Sequence, residues 1–163
     1  MSKNDDRSGI QVKATNRKAL RDYHVEERLE AGLVLTGSEI KSIRSGRASL
    51  VDSYAAIEGG EAFVHGMNVP PYVQASHFGH DPTRVRKLLL HKDEIKRLVG
   101  KVAERGYTLV PLRLYLKDGK AKIELGLARG RRQYDKRREM ADRDAAREIA
   151  RAVRSRARTA AGR

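Results

Sequence analysis

The side chains of this 163-residue chain that could do acid–base, metal or nucleophilic chemistry are few and scattered. His77 and His80 stand three apart, a spacing that two metal ligands can share, but no acidic pair at matching spacing flanks them on an expected helix. His65 falls in an alternating stretch beside Phe63 and Met67, where a core or rim position fits best. His24 and His91 adjoin charged residues, as solvated side chains do. Ser38, Ser42 and Ser53 lack the strand–turn–helix context of a nucleophile elbow. Gly126-Leu127-Ala128-Arg129-Gly130 is not a phosphate loop, and no G-x-x-x-x-G-K-[ST] occurs anywhere. The closest approach to a carboxylate site is Glu26, Glu27 and Glu30, in a stretch that also carries Arg28. A hydrolase built on those three is conceivable, yet nothing converges on a reaction. The expectation is a non-enzyme with no catalytic residues, no metal site and no cofactor.

What the sequence does offer is ionic and stacking chemistry. From Arg129 to Arg163 there are thirteen Lys/Arg against five Asp/Glu, within a chain of net charge +14. Tyr134 sits among the basic groups at the start of that stretch, in Arg131-Arg132-Gln133-Tyr134-Asp135-Lys136-Arg137-Arg138. An aromatic within a cationic segment suits a polyanion that also presents stackable bases. The plain alternative is a disordered solubilising tail. A pI near 10.4 fits nucleic acid or an anionic membrane. Membrane is disfavoured, since no apolar run approaches the roughly 20 residues needed to span a bilayer. With no Cys, disulfides and thiolate chemistry are excluded. The polar N-terminus lacks a secretory h-region, so a cytoplasmic setting is expected.

The elements that must position these groups follow from periodicity. Residues 1–15 are polar and are expected to be flexible. From Tyr23 to Leu35 apolar residues fall on odd positions, the period of one long strand, with His24, Glu26, Arg28 and Glu30 facing outward together. Ser38 can cap a short helix, Glu39 to Arg44, with Ile40 and Ile43 inward and Gly46 ending it. Ser53–Ile57 and Glu61–Met67 read as a hairpin across Gly59-Gly60, and Val69–Val73 as a short edge strand limited by its prolines. Residues 74–81 read as a loop. Asp81-Pro82 then signals a helix start carrying Arg84, Arg86, Lys87 and Leu88-Leu89-Leu90. A second helical pattern, Ile95, Leu98, Val99 and Val102, stops at Gly106. Leu112, Leu114 and Leu116, then Asp118-Gly119, then Ile123, Leu125 and Leu127 describe a closing hairpin. The fold class expected is mostly β (α+β): an OB-like antiparallel barrel of about six strands with three short helices, or else an open α+β sandwich. Residues 16–130 are expected to form this OB-like domain, with RNA binding as its expected role. Residues 131–163 form a basic tail, disordered alone and helical when bound, long enough as a helix to reach about 30 Å.

The words of the sequence are more specific than its composition. Asn16-Arg17-Lys18-Ala19 with Asp22-Tyr23, Glu30 to Ser42 (EAGLVLTGSEIKS) and Asp52-Ser53-Tyr54 resemble the SsrA-binding protein (small protein B) family. So do Gly60-Glu61-Ala62, Arg86 to Lys92 (RKLLLHK), Thr108-Leu109-Val110-Pro111-Leu112, and Leu127 to Arg132 through Asp135-Lys136-Arg137. The likeness runs in order from about Asn16 to Arg138; the rest of the tail agrees in character alone. It implies an OB barrel that holds the tRNA-like domain of transfer-messenger RNA (tmRNA, SsrA RNA) in trans-translation, the rescue of stalled ribosomes. It also implies a tail that enters the decoding centre and vacant mRNA channel of the small ribosomal subunit. A monomer is expected.

The resemblance carries RNA contact to Asn16, Glu30 and Leu89, with Arg17, Lys18, Tyr23, Arg84, Arg86 and Lys87 around them. Glu30 reads as a solvated strand charge or as an acceptor for a guanine edge or ribose hydroxyl. Leu89 reads as a buried spacer or as an apolar contact on a splayed base. Lys18 and Arg86 are expected on phosphates. For the tail the positions are Gly130, Arg131, Arg132, Tyr134, Asp135, Lys136 and Arg137. Ser38 stands where the family usually has Thr, and Gly79 where it usually has Asn. A general ribosomal-RNA-binding or ribosome-assembly protein is the alternative function.

Overall fold

A computed structural model describes residues 9–72, 80–104 and 106–161. The chain divides into two compact units, the second beginning at Gly130. The elements, in order, are β1 (Ile10–Thr15), α1 (Arg17–Asp22), β2 (Tyr23–Leu33), α2 (Gly37–Arg44), β3 (Tyr54–Glu58), β4 (Glu61–His65), β5 (Arg86–Leu89), α3 (Lys92–Ala103), β6 (Tyr107–Lys117), β7 (Lys120–Gly130) and α4 (Arg131–Ala161). The strands hydrogen-bond in the order β1-β6-β3-β4-β5-β2-β7, and β7 also pairs with β6, so six strands close a ring. β1 lies outside it, antiparallel to β6. The ring is not a clean barrel: β3 meets β6 at Ala55↔Leu109, and β5 meets β2 at Gly32↔Leu89 and Leu33↔Leu88. The mostly β, antiparallel expectation therefore holds, with one strand more than expected.

β6 and β7 run in register from Tyr107↔Arg129 to Lys117↔Lys120. Asp118 (φ 50°) and Gly119 (φ 78°) supply the left-handed pair that a tight hairpin turn needs. Leu114, Leu116, Ile123, Leu125 and Leu127 enter the main core with Leu29, Ala31, Ile43, Val64, Leu88, Leu98 and Leu109. Leu112 does not. The register shifts between Pro111 and Arg113, and this bulge moves the inward positions of β6 from odd to even. Leu112 instead joins Ala19, Val110 and Ala128 in a second cluster, with Leu20, Tyr23 and Val25 against it. Gly126 makes room there, since a Cβ on it would lie 2.9 Å from Leu112 Cδ1.

Several expectations are corrected. Residues 10–15, expected to be flexible, form β1, a partly exposed edge strand whose polar face disguised it. The strand from Tyr23 ends at Leu33, before Leu35. The cap of α2 is Thr36 rather than Ser38: its Oγ1 accepts from Glu39 N–H at 3.4 Å, and Glu39 Oε1 accepts from Thr36 N–H at 3.0 Å. No helix begins at Asp81-Pro82. The Asp81 carboxylate accepts from Thr83 N–H at 3.0 Å, a local turn, and the chain then enters β5. There Arg86 and Leu88 point inward while Leu89 faces solvent, a period of two that bridges β4 to β2. The edge strand expected over 69–73 does not form in its described part. Asn68 makes an isolated bridge to Ser49, and Val69 N–H donates to the Pro82 carbonyl at 2.9 Å. Val73 and most of the 74–81 loop lie outside the described residues. In α3 Leu98 is buried, but Val99 and Val102 are exposed.

The second unit is one 31-residue helix. Residues 131–161 contain no Gly or Pro and are dominated by Ala and Arg, good helix formers. Met140, Ile149 and Val153 on it are exposed.

Candidate nucleic-acid interface

β2 carries a row of charges, Glu26, Glu27, Arg28 and Glu30, each fixed by a partner on β6, β7 or α3. Tyr107 Oη donates to Glu26 at 2.7 Å, and Arg129, stacked 4.1 Å from the Tyr107 ring centroid, approaches the same carboxylate at 3.4 Å. Arg97 of α3 pairs with Glu27 at 2.5 Å. Arg28 Nη1 donates to Glu124 at 2.8 Å. Tyr115 Oη donates to Glu30, whose other oxygen lies 3.5 Å from Lys117 Nζ. That hydroxyl, helped by Lys117, holds the Glu30 carboxyl below its usual range, so it is an anion at neutral pH. Burial and the same bond push the Tyr115 phenol well up. The Glu26, Glu27 and Glu30 cluster is thus a set of tethered charges, not a converged acid–base pair.

Glu30 and Leu89 share one groove of about 520 Å³, also lined by Gly32, His91, Glu94 and Lys122. Leu89 is 54% exposed, so it is no buried spacer. Its place depends on Gly32, its cross-strand partner: a Cβ at 32 would lie 3.1 Å from Leu89 Cβ. The result is an apolar knob between a fixed carboxylate and Lys122. Such a surface can contact an unstacked base on its face and on its edge.

Two of the expected RNA contacts sit elsewhere. Asn16 is buried: its Oδ1 accepts from Ala19 N–H at 3.2 Å, capping α1. Its Nδ2 donates to the carbonyls of Leu50 (3.1 Å) and Pro111 (2.9 Å). Every hydrogen-bonding atom of that side chain is committed to the fold. Arg86 is wholly buried, bonded to Glu39 and to the Met67, Arg84 and Pro82 carbonyls. With no exposed surface it cannot reach a phosphate. Arg84 is partly exposed and donates to Glu39 at 2.5 Å. Burial alone would raise the Glu39 pKa, but the bonds from Arg84, Thr36 N–H and Arg86 hold it at about 2.

Arg17 and Lys18 are exposed on α1, Lys18 paired with Asp52 at 2.8 Å. Tyr23 is half-buried against the second cluster. Lys87 is half-exposed and pairs with Glu61 at 2.9 Å. His77 and Gly79 lie outside the described residues. His80 bridges Ser38 Oγ (2.8 Å) and the Val69 carbonyl (2.6 Å), and no group of three or more metal-ligating side chains occurs among the described residues. No helix among them is long and apolar enough to cross a membrane.

Comparison with known proteins bears on this surface. A family model described as SmpB protein matches residues 13–155. The chain belongs to the SmpB family. Similar relatives include the SsrA-binding protein of Bacillus cytotoxicus, 58% identical over 89% of this chain and 94% of its own. The SsrA-binding protein of Acidothermus cellulolyticus is 58% identical over 90% and 92%. A solved chain from a study titled "tmRNA-SmpB: a journey to the center of the bacterial ribosome" is 46% identical, with TM-score 0.62 over 75% of this chain and 84% of that one. The SmpB match extends to residue 155, further into α4 than the likeness read from the sequence.

In this SmpB-family chain the tail positions Gly130, Arg131, Arg132, Tyr134, Asp135, Lys136 and Arg137 open the second unit, Gly130 as the last residue of β7 and the others in the first turns of α4. Arg131, Arg132, Lys136 and Arg137 are exposed; Tyr134 is partly so. The residues that sequence reasoning missed are Lys117, Lys122, Arg113, Tyr115 and Gly32. The one available signal was alternation along β6 and β7. It places Arg113, Tyr115 and Lys117 on one face, but the bulge before Arg113 hides which face that is.

Proposed function

We propose that this chain is a non-catalytic RNA-binding adaptor. It holds the tRNA-like domain of tmRNA (SsrA RNA) and accompanies it to stalled ribosomes for trans-translation in the bacterial cytoplasm. The observation that carries this reading is the likeness, over 75% of this chain, to a solved chain from a study titled for tmRNA-SmpB and the bacterial ribosome. The open groove at Glu30, Leu89 and Lys122 supports it, because it offers a base-sized apolar contact beside a fixed acceptor and a cation. Arg17, Lys18, Arg84 and Lys87, at the margins of the ring, would add salt-sensitive phosphate contacts. Glu30, Leu89 and Tyr23 would add selectivity.

The tail reading is also ours. Gly130, Arg131, Arg132, Tyr134, Asp135, Lys136 and Arg137 would enter the decoding centre and vacant mRNA channel, where ribosomal RNA would order the helix fully. The test is to purify the full chain from its own cytoplasm and sequence the RNA that travels with it. One dominant small RNA, tmRNA, is expected. A spread of ribosomal RNA fragments with no enriched small RNA would favour a general ribosomal-RNA-binding protein instead.

A further inference from the structure

Some cations on the surface of the strand-rich unit meet a carboxylate one to one, as Lys18 meets Asp52 and Lys87 meets Glu61. Glu124, nearly buried with its side chain 11% exposed, serves two guanidinium groups, as Glu39 does, but here both arginines reach solvent, whereas Arg86 on Glu39 does not. Oε1 accepts from Arg28 Nη1 at 2.8 Å, while Oε2 accepts from Arg113 Nε at 3.1 Å and Nη2 at 2.6 Å. One anion thus orients two cations and leaves a surplus positive charge. Arg28 uses one of its three nitrogens and Arg113 two. Among the described residues Arg28 Nε and Nη2 and Arg113 Nη1 have no partner, and the two side chains are 55% and 43% exposed. Arg113 is further steadied by the Tyr115 ring, 6.0 Å away. Both arginines line a cavity of about 340 Å³ with Val12, Tyr115 and Glu30.

We propose that Arg28 and Arg113, braced by Glu124, form a seat for one RNA phosphodiester next to Glu30; the proposal rests on the reading of this chain as an RNA-binding adaptor. Planar forks held at a fixed angle suit the tetrahedral oxygens of a phosphate better than free lysines do. Exposed Val12, at the edge of the same cavity, offers an apolar surface to the ribose. The neighbouring tethered carboxylate of Glu30 then meets the sugar or base of the same nucleotide, so backbone and edge are read together. An acidic protein segment could satisfy the guanidinium groups, but its carboxylates bring no donor for Glu30. A nucleotide carries a ribose hydroxyl and base N–H groups beside its phosphate, and these can donate to that carboxylate.

The experiment is filter binding of the full chain to tmRNA and to a small-subunit ribosomal RNA fragment across a salt series. Arg28→Gln leaves Glu124 paired with Arg113, so it keeps the fold, which its thermal unfolding midpoint checks. It should weaken tmRNA binding about tenfold and reduce the slope of log affinity against log salt by about 1. Arg113→Lys, which keeps the charge but loses the fork, should lose affinity severalfold with the slope unchanged. Lys96→Gln removes an equal, exposed charge on α3 and should leave both quantities near wild type. An unchanged slope in Arg28→Gln, an equal change in Lys96→Gln, or full affinity in Arg113→Lys would each overturn the seat. The functional reading fails separately. If the wild type shows no preference for tmRNA while Arg28→Gln still lowers the slope on both RNAs, the seat stands and the adaptor reading falls.

Discussion

Arg86 and Glu39 are both removed from water, and each gives the other its charge partner. Removing Arg86 leaves the buried Glu39 with the partly exposed Arg84 as its cation and one carboxylate oxygen without its guanidinium, which costs about 3 kcal/mol, more than most surface changes. Arg86→Met should therefore lower the free energy of unfolding in denaturant by about that amount, while the folded fraction keeps its tmRNA affinity. An equal loss of stability and RNA binding in the folded protein would return Arg86 to the interface. The same pair sets an acid limit. Glu39 titrates near 2 when folded and near 4.5 when unfolded. Its contribution is complete above about pH 4.5 and is lost as pH falls toward 2, because the unfolded chain takes up the proton first. Acid titration of stability should show that loss, and Glu39→Gln should abolish that part of the profile. Leu89 makes the opposite case. It is exposed, so Leu89→Ala should change stability by less than about 0.5 kcal/mol and weaken tmRNA binding about tenfold. At this scale the outward side of Glu30 was legible, since alternation alone turns it outward; the exposure of Leu89 was not, because its stretch reads as a helix. Asn16 and Arg86 were not, because their partners lie far along the chain: Leu50 and Pro111 for one, Glu39 for the other.

Among the elements, the β6–β7 hairpin announced itself through alternation and an Asp-Gly turn. β5 did not, because Asp81-Pro82 and three consecutive leucines mimic a helix start, and an inward Arg86 mimics a basic helix face. β1 and α1 were hidden for a simpler reason: each buries too few side chains to show a period. The β6 bulge is the element-scale feature on which both clusters depend. It turns Leu112 under α1, where Gly126 leaves it space. Gly126→Ala places a methyl against Leu112 and Val25 and should cost about 1–3 kcal/mol through overpacking. Denaturant unfolding measures this, and Leu112→Ala should cost less in the Gly126→Ala background than in the wild type. A neutral Gly126→Ala would mean that the second cluster is looser than its contacts indicate.

For the molecule as a whole, two physically different units share one chain. The first has a buried core, tethered surface charges and an open groove; the second is a cationic helix with exposed Met140, Ile149 and Val153. Composition alone separated them, since the apolar residues thin out beyond Arg129 as arginine accumulates. The account assigns RNA selectivity to the first unit and ribosome access to the second. The direct measurement compares the full chain with a chain ending at Gly130, at physiological salt, for tmRNA affinity, for preference over a ribosomal RNA fragment, and for tagging of stalled nascent chains. The account predicts that the shortened chain keeps its preference for tmRNA, loses no more than about tenfold in affinity from the missing charge, and tags nothing. Loss of the preference itself, or tagging that persists without α4, would contradict it.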